Sequence, residues 1–357
     1  MAAAAALSAC GPGPQQTPLW MACKMDTSNT DASKSKATSC AQIISQGAIG
    51  DDLETAYRMH GDAEQALGDD NAAVADYSQA LKLRPLDGDA LDGRAYAYLD
   101  QSKYDPAIAD LTAAIRINPS DGTAFDYRGA ASRDKGDLAA AFQDEDRAIE
   151  LKPAWAGPWA ERGYAYLDEH RYDMALADFG QAEQLDATLT FAFDGSAEAN
   201  SDKGDVKDAV QAYEQAGNLY IGKKDYVSAL ADADKEVALE PADPEALNSR
   251  CWTMAIANQR LGEALTDCQK SLAIRPGAAD VLDSLGFVQF RQGHFADAIQ
   301  SYSAALAKAP KQASSLYMRG VAKLRAGDQD GGQSDIDAAK AADASVADQF
   351  TGYGVTP

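Results

Sequence analysis

Basic residues are scarce in this chain: 32 lysines and arginines stand against 55 aspartates and glutamates, for a net charge of −23. That balance argues against a nucleic acid or an anionic bilayer surface as a direct ligand. It also fits the acidic surface of an ordinary soluble protein, without selection for any partner. No run of 20 apolar residues is present, so no segment reads as a membrane span. There are only three histidines, His60, His170 and His294, and none has a second ligand at metal spacing. HEXXH, a glycine-rich phosphate loop and a serine nucleophile elbow are all missing. The acidic stretch DGDALDG (87–93) lacks the closing glutamate of a calcium loop and reads better as a helix cap. These absences leave no enzyme and no cofactor to expect.

What the chain does have is punctuation at a fixed period. Pro85, Pro119 and Pro153 lie 34 residues apart, as do Pro276 and Pro310. Each closes an apolar stripe: LKLRP, IRINP, IELKP, LAIRP and LAKAP. Proline cannot continue a helix, so each marks a helix end. Counting back gives units from 54, 88, 122, 156, 245, 279 and 313. Their eighth positions carry Gly61, Ala95, Gly129, Gly163, Gly286 and Gly320; their twentieth, Ala73, Ala107, Ala141, Ala175, Ala264 and Ala298. Their twenty-seventh carry Ala80, Ala114, Ala148, Ala182, Ala305 and Ala339, with Ser271 in the unit from 245. Small residues at fixed offsets let two helices cross closely. Larger ones fill the gaps, Tyr57, Leu91, Phe125, Trp159, Leu282 and Leu316 early, and Tyr77, Leu111, Phe179 and Tyr302 late. Gly68, Gly136, Gly293 and Gly327 mark the turns. A period of this length means an array of helical hairpins.

The pattern resembles the tetratricopeptide repeat over about residues 54–344. The resemblance implies an all-α fold, an α-solenoid of tandem helix-turn-helix repeats wound into a right-handed superhelix. Two departures stand out. Pro241 demands a unit from 210 while another begins at 190, so the segment from Asp205 to Gly222 serves as second helix of one hairpin and first of the next. Gly332 replaces the usual alanine, and AADASVADQFTGYG reads as a terminal cap.

Family members bind partner segments in a concave groove faced by first-helix positions two, five, nine, twelve and thirteen. Those positions supply Asp89, Asp92, Tyr96, Leu99 and Asp100, then Thr123, Asp126, Arg133 and Asp134, then Tyr164, Leu167 and Asp168. Farther on they supply Asp280, Asp283, Phe287, Phe290 and Arg291, and the groove turns more apolar. The family's carboxylate clamp needs Lys, Asn and Arg where this chain has mainly Asp and Tyr. The expected ligand is therefore a protein or peptide with basic residues beside apolar anchors. The alternatives are that Tyr96 and Tyr164 only pack between hairpins, or that the array self-associates as a structural component.

AAAAALSAC ends in Leu7-Ser8-Ala9-Cys10, which resembles a bacterial lipoprotein lipobox. That resemblance implies a signal over 1–9, lipid on Cys10 as the sole membrane attachment, and residence in the bacterial envelope facing the periplasm. A disordered Ala-rich start of a cytoplasmic protein is the other reading. Residues 10–40 read as a flexible tether with a disulfide loop, 41–344 as the solenoid, 345–357 as a cap or tail. Four cysteines remain: Cys251 and Cys268 fall on facing helices of one hairpin, and Cys23 and Cys40 bracket a Ser/Thr/Lys stretch. Bridges between them, or four buried thiols, are both open at this point.

Overall fold

A computed structural model describes residues 17–27 and 29–357. Among them are twenty helices and no strand. Cys10 and its neighbours lie outside the described residues. The chain divides into two compact units, Met1–His170 and Arg171–Pro357.

The first unit opens with α1 (Pro18–Cys23) and α2 (Thr30–Ser45), followed by the hairpins α3 (Gly50–Ala66) with α4 (Asp70–Leu83), α5 (Gly88–Asp100) with α6 (Tyr104–Ile117), and α7 (Gly122–Asp134) with α8 (Leu138–Leu151). It closes on α9 (Ala156–Asp168). Here the tether expected over 10–40 is corrected: its Ser/Thr/Lys part is helical. Asn29 caps α2 by accepting the Ala32 amide at 2.9 Å, and Lys36 reaches Asp62 of α3 at 3.3 Å. Cys23 and Cys40 are bonded, with Cα atoms 4.9 Å apart, which seats α1 on α2 around buried Trp20 and Ile43. A capped, lysine- and alanine-bearing stretch held by these contacts gains what its polarity withholds.

The second unit contains α10 (Tyr172–Leu185), α11 (Thr190–Lys203), α12 (Val206–Gly222), α13 (Tyr226–Leu239), α14 (Pro244–Ala257), α15 (Leu261–Ile274), α16 (Ala279–Arg291), α17 (Phe295–Lys308), α18 (Ala313–Arg325), α19 (Gln329–Ala342) and α20 (Val346–Gly352). Helix α12 is 17 residues long against 14 for α11 and α13, and it packs along both as a hairpin partner. The doubled use of Asp205–Gly222 read from the prolines is thus what the fold contains. Cys251 and Cys268 bridge α14 to α15.

Small residues set the crossings. Ala73, Ala107, Ala175, Ala264 and Ala298 have no exposed surface, and neither has Ser271, whose hydroxyl donates to the Pro244 carbonyl at 2.7 Å. Rings rest on glycines, Tyr77 on Gly61 and Tyr302 on Gly286. Gly332 has its reason here: a Cβ on it would lie 2.7 Å from Leu324 of α18, and one on Gly320 would lie 2.7 Å from the Gly332 carbonyl. The two backbones meet where no side chain fits.

An interaction absent from the sequence reading joins successive hairpins. Arg94 grips Asp110 with two bonds of 2.7 and 2.8 Å and donates a third to Ser78 of the preceding hairpin. Arg128 does the same with Asp144 and Thr112, and Arg319 with Asp335 and Ser303. Arg250 holds Asp267 and, one hairpin back, Asp234. The first three are charge-assisted forks and the fourth bridges two carboxylates, the kind of hydrogen bond that contributes roughly 1.5–3 kcal/mol.

The packing rule makes opposite predictions for two glycines of the second unit. A Cβ on Gly195 would fall 2.3 Å from the Phe179 ring, whereas one on Gly180 would meet nothing within 4 Å. Gly195→Ala is expected to cost about 1–3 kcal/mol, and Gly180→Ala to gain about 0.5–1 kcal/mol from helix propensity. Urea unfolding of both variants checks the pair.

Candidate functional site

The first-helix residues that the resemblance assigns to a groove have different surroundings in the two units. In the first unit Asp89 is exposed at the start of α5 and lies 3.5 Å from Arg58. Tyr96, 39% exposed, tilts against Tyr127 of α7 with ring centres 5.3 Å apart. Asp100 and Asp168 are exposed at the ends of α5 and α9. Tyr164 is half-buried beneath the Arg133 guanidinium, 5.1 Å away, and Arg133 is also paired with Glu161 at 3.1 Å and Asp134 at 2.9 Å. Asp92 is half-buried, its Oδ1 has no hydrogen-bond partner, and burial followed by repulsion from Asp121 and Asp89 pushes its pKa up to about 7.

Asp126 is not a groove residue. It is 5% exposed, and its pKa is pushed up to about 7, first by burial and then by Glu161. Its carboxyl faces that of Glu145 on α8, which is buried and raised well above the carboxylate range, again by burial first and Asp126 next. Two carboxyls held face to face and buried resist ionising together. The physical reason is Gly129: a Cβ there would lie 2.2 Å from Glu145 Oε1, so glycine makes room for the carboxylate. Glu145 occupies the offset that Tyr77, Leu111, Phe179 and Tyr302 hold elsewhere, so an acid replaces a core ring in one repeat. An acid at a ring position was the legible signal for this pair.

In the second unit Phe287 is also corrected. It is 1% exposed, sealed between Trp252 at 5.4 Å, Phe290 at 6.5 Å and Phe350 at 5.6 Å. Phe290 is half-buried. The covering ring, Phe350, belongs to α20, which stacks it on Tyr317 at 5.5 Å while Tyr353 meets Trp252 edge-on at 6.0 Å. Beside Trp252 opens a cavity of about 230 Å³ lined by Glu214, Asn218, Glu236, Glu245, Asn248 and Asp280. Glu236 on its floor is 2% exposed, and burial pushes its pKa up to about 8. Glu245 and Asp280 at its rim are both bound by Arg275. The cavity went unread because the unit was counted from Glu245, while α14 starts at Pro244. Counting from 244 places Asn248 and Trp252 at positions five and nine. Among the described residues no group of three or more metal-ligating side chains converges.

Stacked helical hairpins with small-residue crossings and lined concave faces define a helical-repeat protein of the kind that presents surfaces. The particular family follows from the family model described as tetratricopeptide repeat, which matches residues 58–122, 93–155 and 285–347. Over those stretches the chain carries tetratricopeptide repeats. A TPR repeat-containing protein of Pseudomonas aeruginosa is 28% identical, over 37% of this chain and 25% of that protein. The STIP1 homolog of Dictyostelium discoideum is 28% identical over 30% of this chain and 20% of its own length. The chain thus spans a quarter or less of these curated relatives. Among solved structures, YrrB, a TPR protein with an unusual peptide-binding site, aligns at 20% identity and a TM-score of 0.40, covering 55% of this chain and 97% of that one.

The buried acids fix a pH dependence. Asp92, Asp126, Asp232 and Glu236 have folded pKa values raised to about 7 or 8. The folded state therefore binds more protons than the unfolded one between about pH 4 and pH 8, and stability falls as pH rises through that window. The melting temperature is expected to drop from pH 5 to pH 8. Glu145→Leu, which restores the side chain of Leu111 at that offset, should raise it more at pH 8 than at pH 5. Thermal melts of both chains at the two pH values check the sign.

Proposed function

We propose that the protein is a non-enzymatic interaction scaffold that holds partner segments on its concave faces and is tethered by lipid on Cys10 in the bacterial envelope, facing the periplasm. One observation carries the binding reading: in the first unit Tyr96 stays 39% exposed, with Asp100 and Asp70 acting on it, and Asp89 and Asp168 are exposed on the same set of first helices. Exposed carboxylates that neighbour an open aromatic suit a segment carrying lysine or arginine. Cation–π contact there is worth roughly 0.5–1 kcal/mol per exposed ring, and the carboxylates add long-range attraction. Asp92 and Asp126, whose pKa values are raised to about 7, are only partly ionised near pH 7 and add less to that field than their count suggests.

The location reading has two supports. Leu7-Ser8-Ala9-Cys10 resembles a lipobox. Both remaining cysteine pairs are at bonding distance with no exposed surface, as expected of a chain folded in an oxidising compartment.

Binding of a peptide that combines Lys or Arg with one apolar anchor should weaken about tenfold between low and moderate salt, since exposed charges are screened. Asp89→Asn with Asp168→Asn should mainly slow association, and Tyr96→Ala should mainly speed dissociation. Salt-independent binding that tolerates all three changes would place the partner elsewhere. For the location, Cys10→Ser should release the protein from membranes, and mass mapping without reductant should find Cys23–Cys40 and Cys251–Cys268. Unacylated wild type with four free thiols would contradict the envelope.

A further inference from the structure

Helix α20 does not simply extend the stack. A next first helix would lie against α18 and α19 alone, yet Phe350 reaches Phe287 of α16, and Tyr353 reaches Trp252 of α14. The segment 346–356 therefore runs back across three first helices on their concave side. The residues it covers, Trp252, Phe287 and Tyr317, stand at the positions through which such grooves face inward. Two arginines of the groove hold its backbone: Arg291 donates to the Tyr353 carbonyl and Arg325 to the Thr356 carbonyl at 3.1 Å. Arg291 makes no ion pair among the described residues, so backbone carbonyls are what satisfy it.

The segment itself has little to hold it in place. Its helix is seven residues long, Ser345 gives it no side-chain cap, and Gly352 and Gly354 follow at its end. An isolated helix of that length does not persist in water. Its grip comes from Val346, Phe350 and Val355, which are buried, and from half-buried Tyr353. Short, weakly self-supporting and anchored by a few side chains in an aromatic groove, it has the form of a bound peptide more than of a repeat.

We propose that the groove across α14, α16 and α18 is a second binding site, held by the chain's own segment 346–356 until a partner displaces it. The partner segment is a short helix with aromatic rings three residues apart and an aliphatic residue two further on, the Phe350–Tyr353–Val355 pattern. This rests on the scaffold reading but concerns a different face and a ligand of different chemistry from the basic segment assigned to the first unit. A self-occupied groove lowers apparent affinity by the fraction of chains in which it stands open.

The test uses a fluorescent peptide with the sequence of residues 344–357 and three chains: wild type, full-length Phe350→Ser/Tyr353→Ser, and a chain ending at Asp343. The peptide should bind both altered chains at least ten times more tightly than wild type. A peptide carrying the Phe350→Ser change should bind none. Circular dichroism and melting curves establish that the altered chains are folded. Folded variants that ignore the peptide overturn the proposal. So does loss of folding in both, which would make the segment an indispensable part of the core. A wild-type dimer that the shortened chain cannot form overturns it in favour of tail exchange between two copies. The basic peptide is measured on the same samples. If it alone fails to bind, the first-unit reading fails while this one stands.

Discussion

Everything in this molecule depends on how closely two helices of a hairpin can cross. Alanine at the twentieth and twenty-seventh offsets and glycine or alanine at the eighth remove the side chains that would hold the backbones apart. Enlarging such a contact by one methyl group forces neighbours off their rotamers. Once that distance is set, the arginine of the first helix and the aspartate 16 residues later fall into fork geometry, and the third guanidinium nitrogen reaches the hairpin before. Crossing distance and clasp together stack the units and leave first-helix side chains to line the concave side. On the proposed reading, binding chemistry is written on those of these positions that the packing leaves open.

The two compact units write different chemistry there. In the first, Tyr96 and several aspartates are exposed, and burial leaves Asp92 and Asp126 only partly ionised near neutrality. In the second, aromatic rings replace the carboxylates, and a segment of the chain lies on them. Basic and aromatic ligands would thus be sorted by face, one recognised through a field that salt screens, the other through apolar area that salt leaves intact.

The fold was legible because proline, alanine and glycine act through backbone geometry, which the 34-residue period displays directly. Even the doubled use of α12 could be read, since Pro241 falls out of phase with Pro153. The faces were legible only in part. Tyr96, Asp89 and Asp168 are exposed, although Tyr127 and Arg58 of neighbouring hairpins touch the first two. Asp126 is not, because whether a position-five acid sees water depends on what stands across from it, and Glu145 lies 19 residues away. Phe287 failed for a longer-range reason: its cover is Phe350, which no local pattern connects to it. The helix over Thr30–Ser45 was missed because part of its support, the Cys23–Cys40 bond and the Lys36 contact with Asp62, comes from outside the polar stretch itself.

The most direct test of the claim that the second unit carries its own occupant is hydrogen exchange on the unmodified chain. If segment 346–356 is a displaceable occupant, its amides open locally and exchange far faster than those of α16 and α18, which it covers. Exchange of 346–356 at the same rate as α16 and α18, under conditions where only global unfolding exposes the latter, would show the segment to be core and contradict the account.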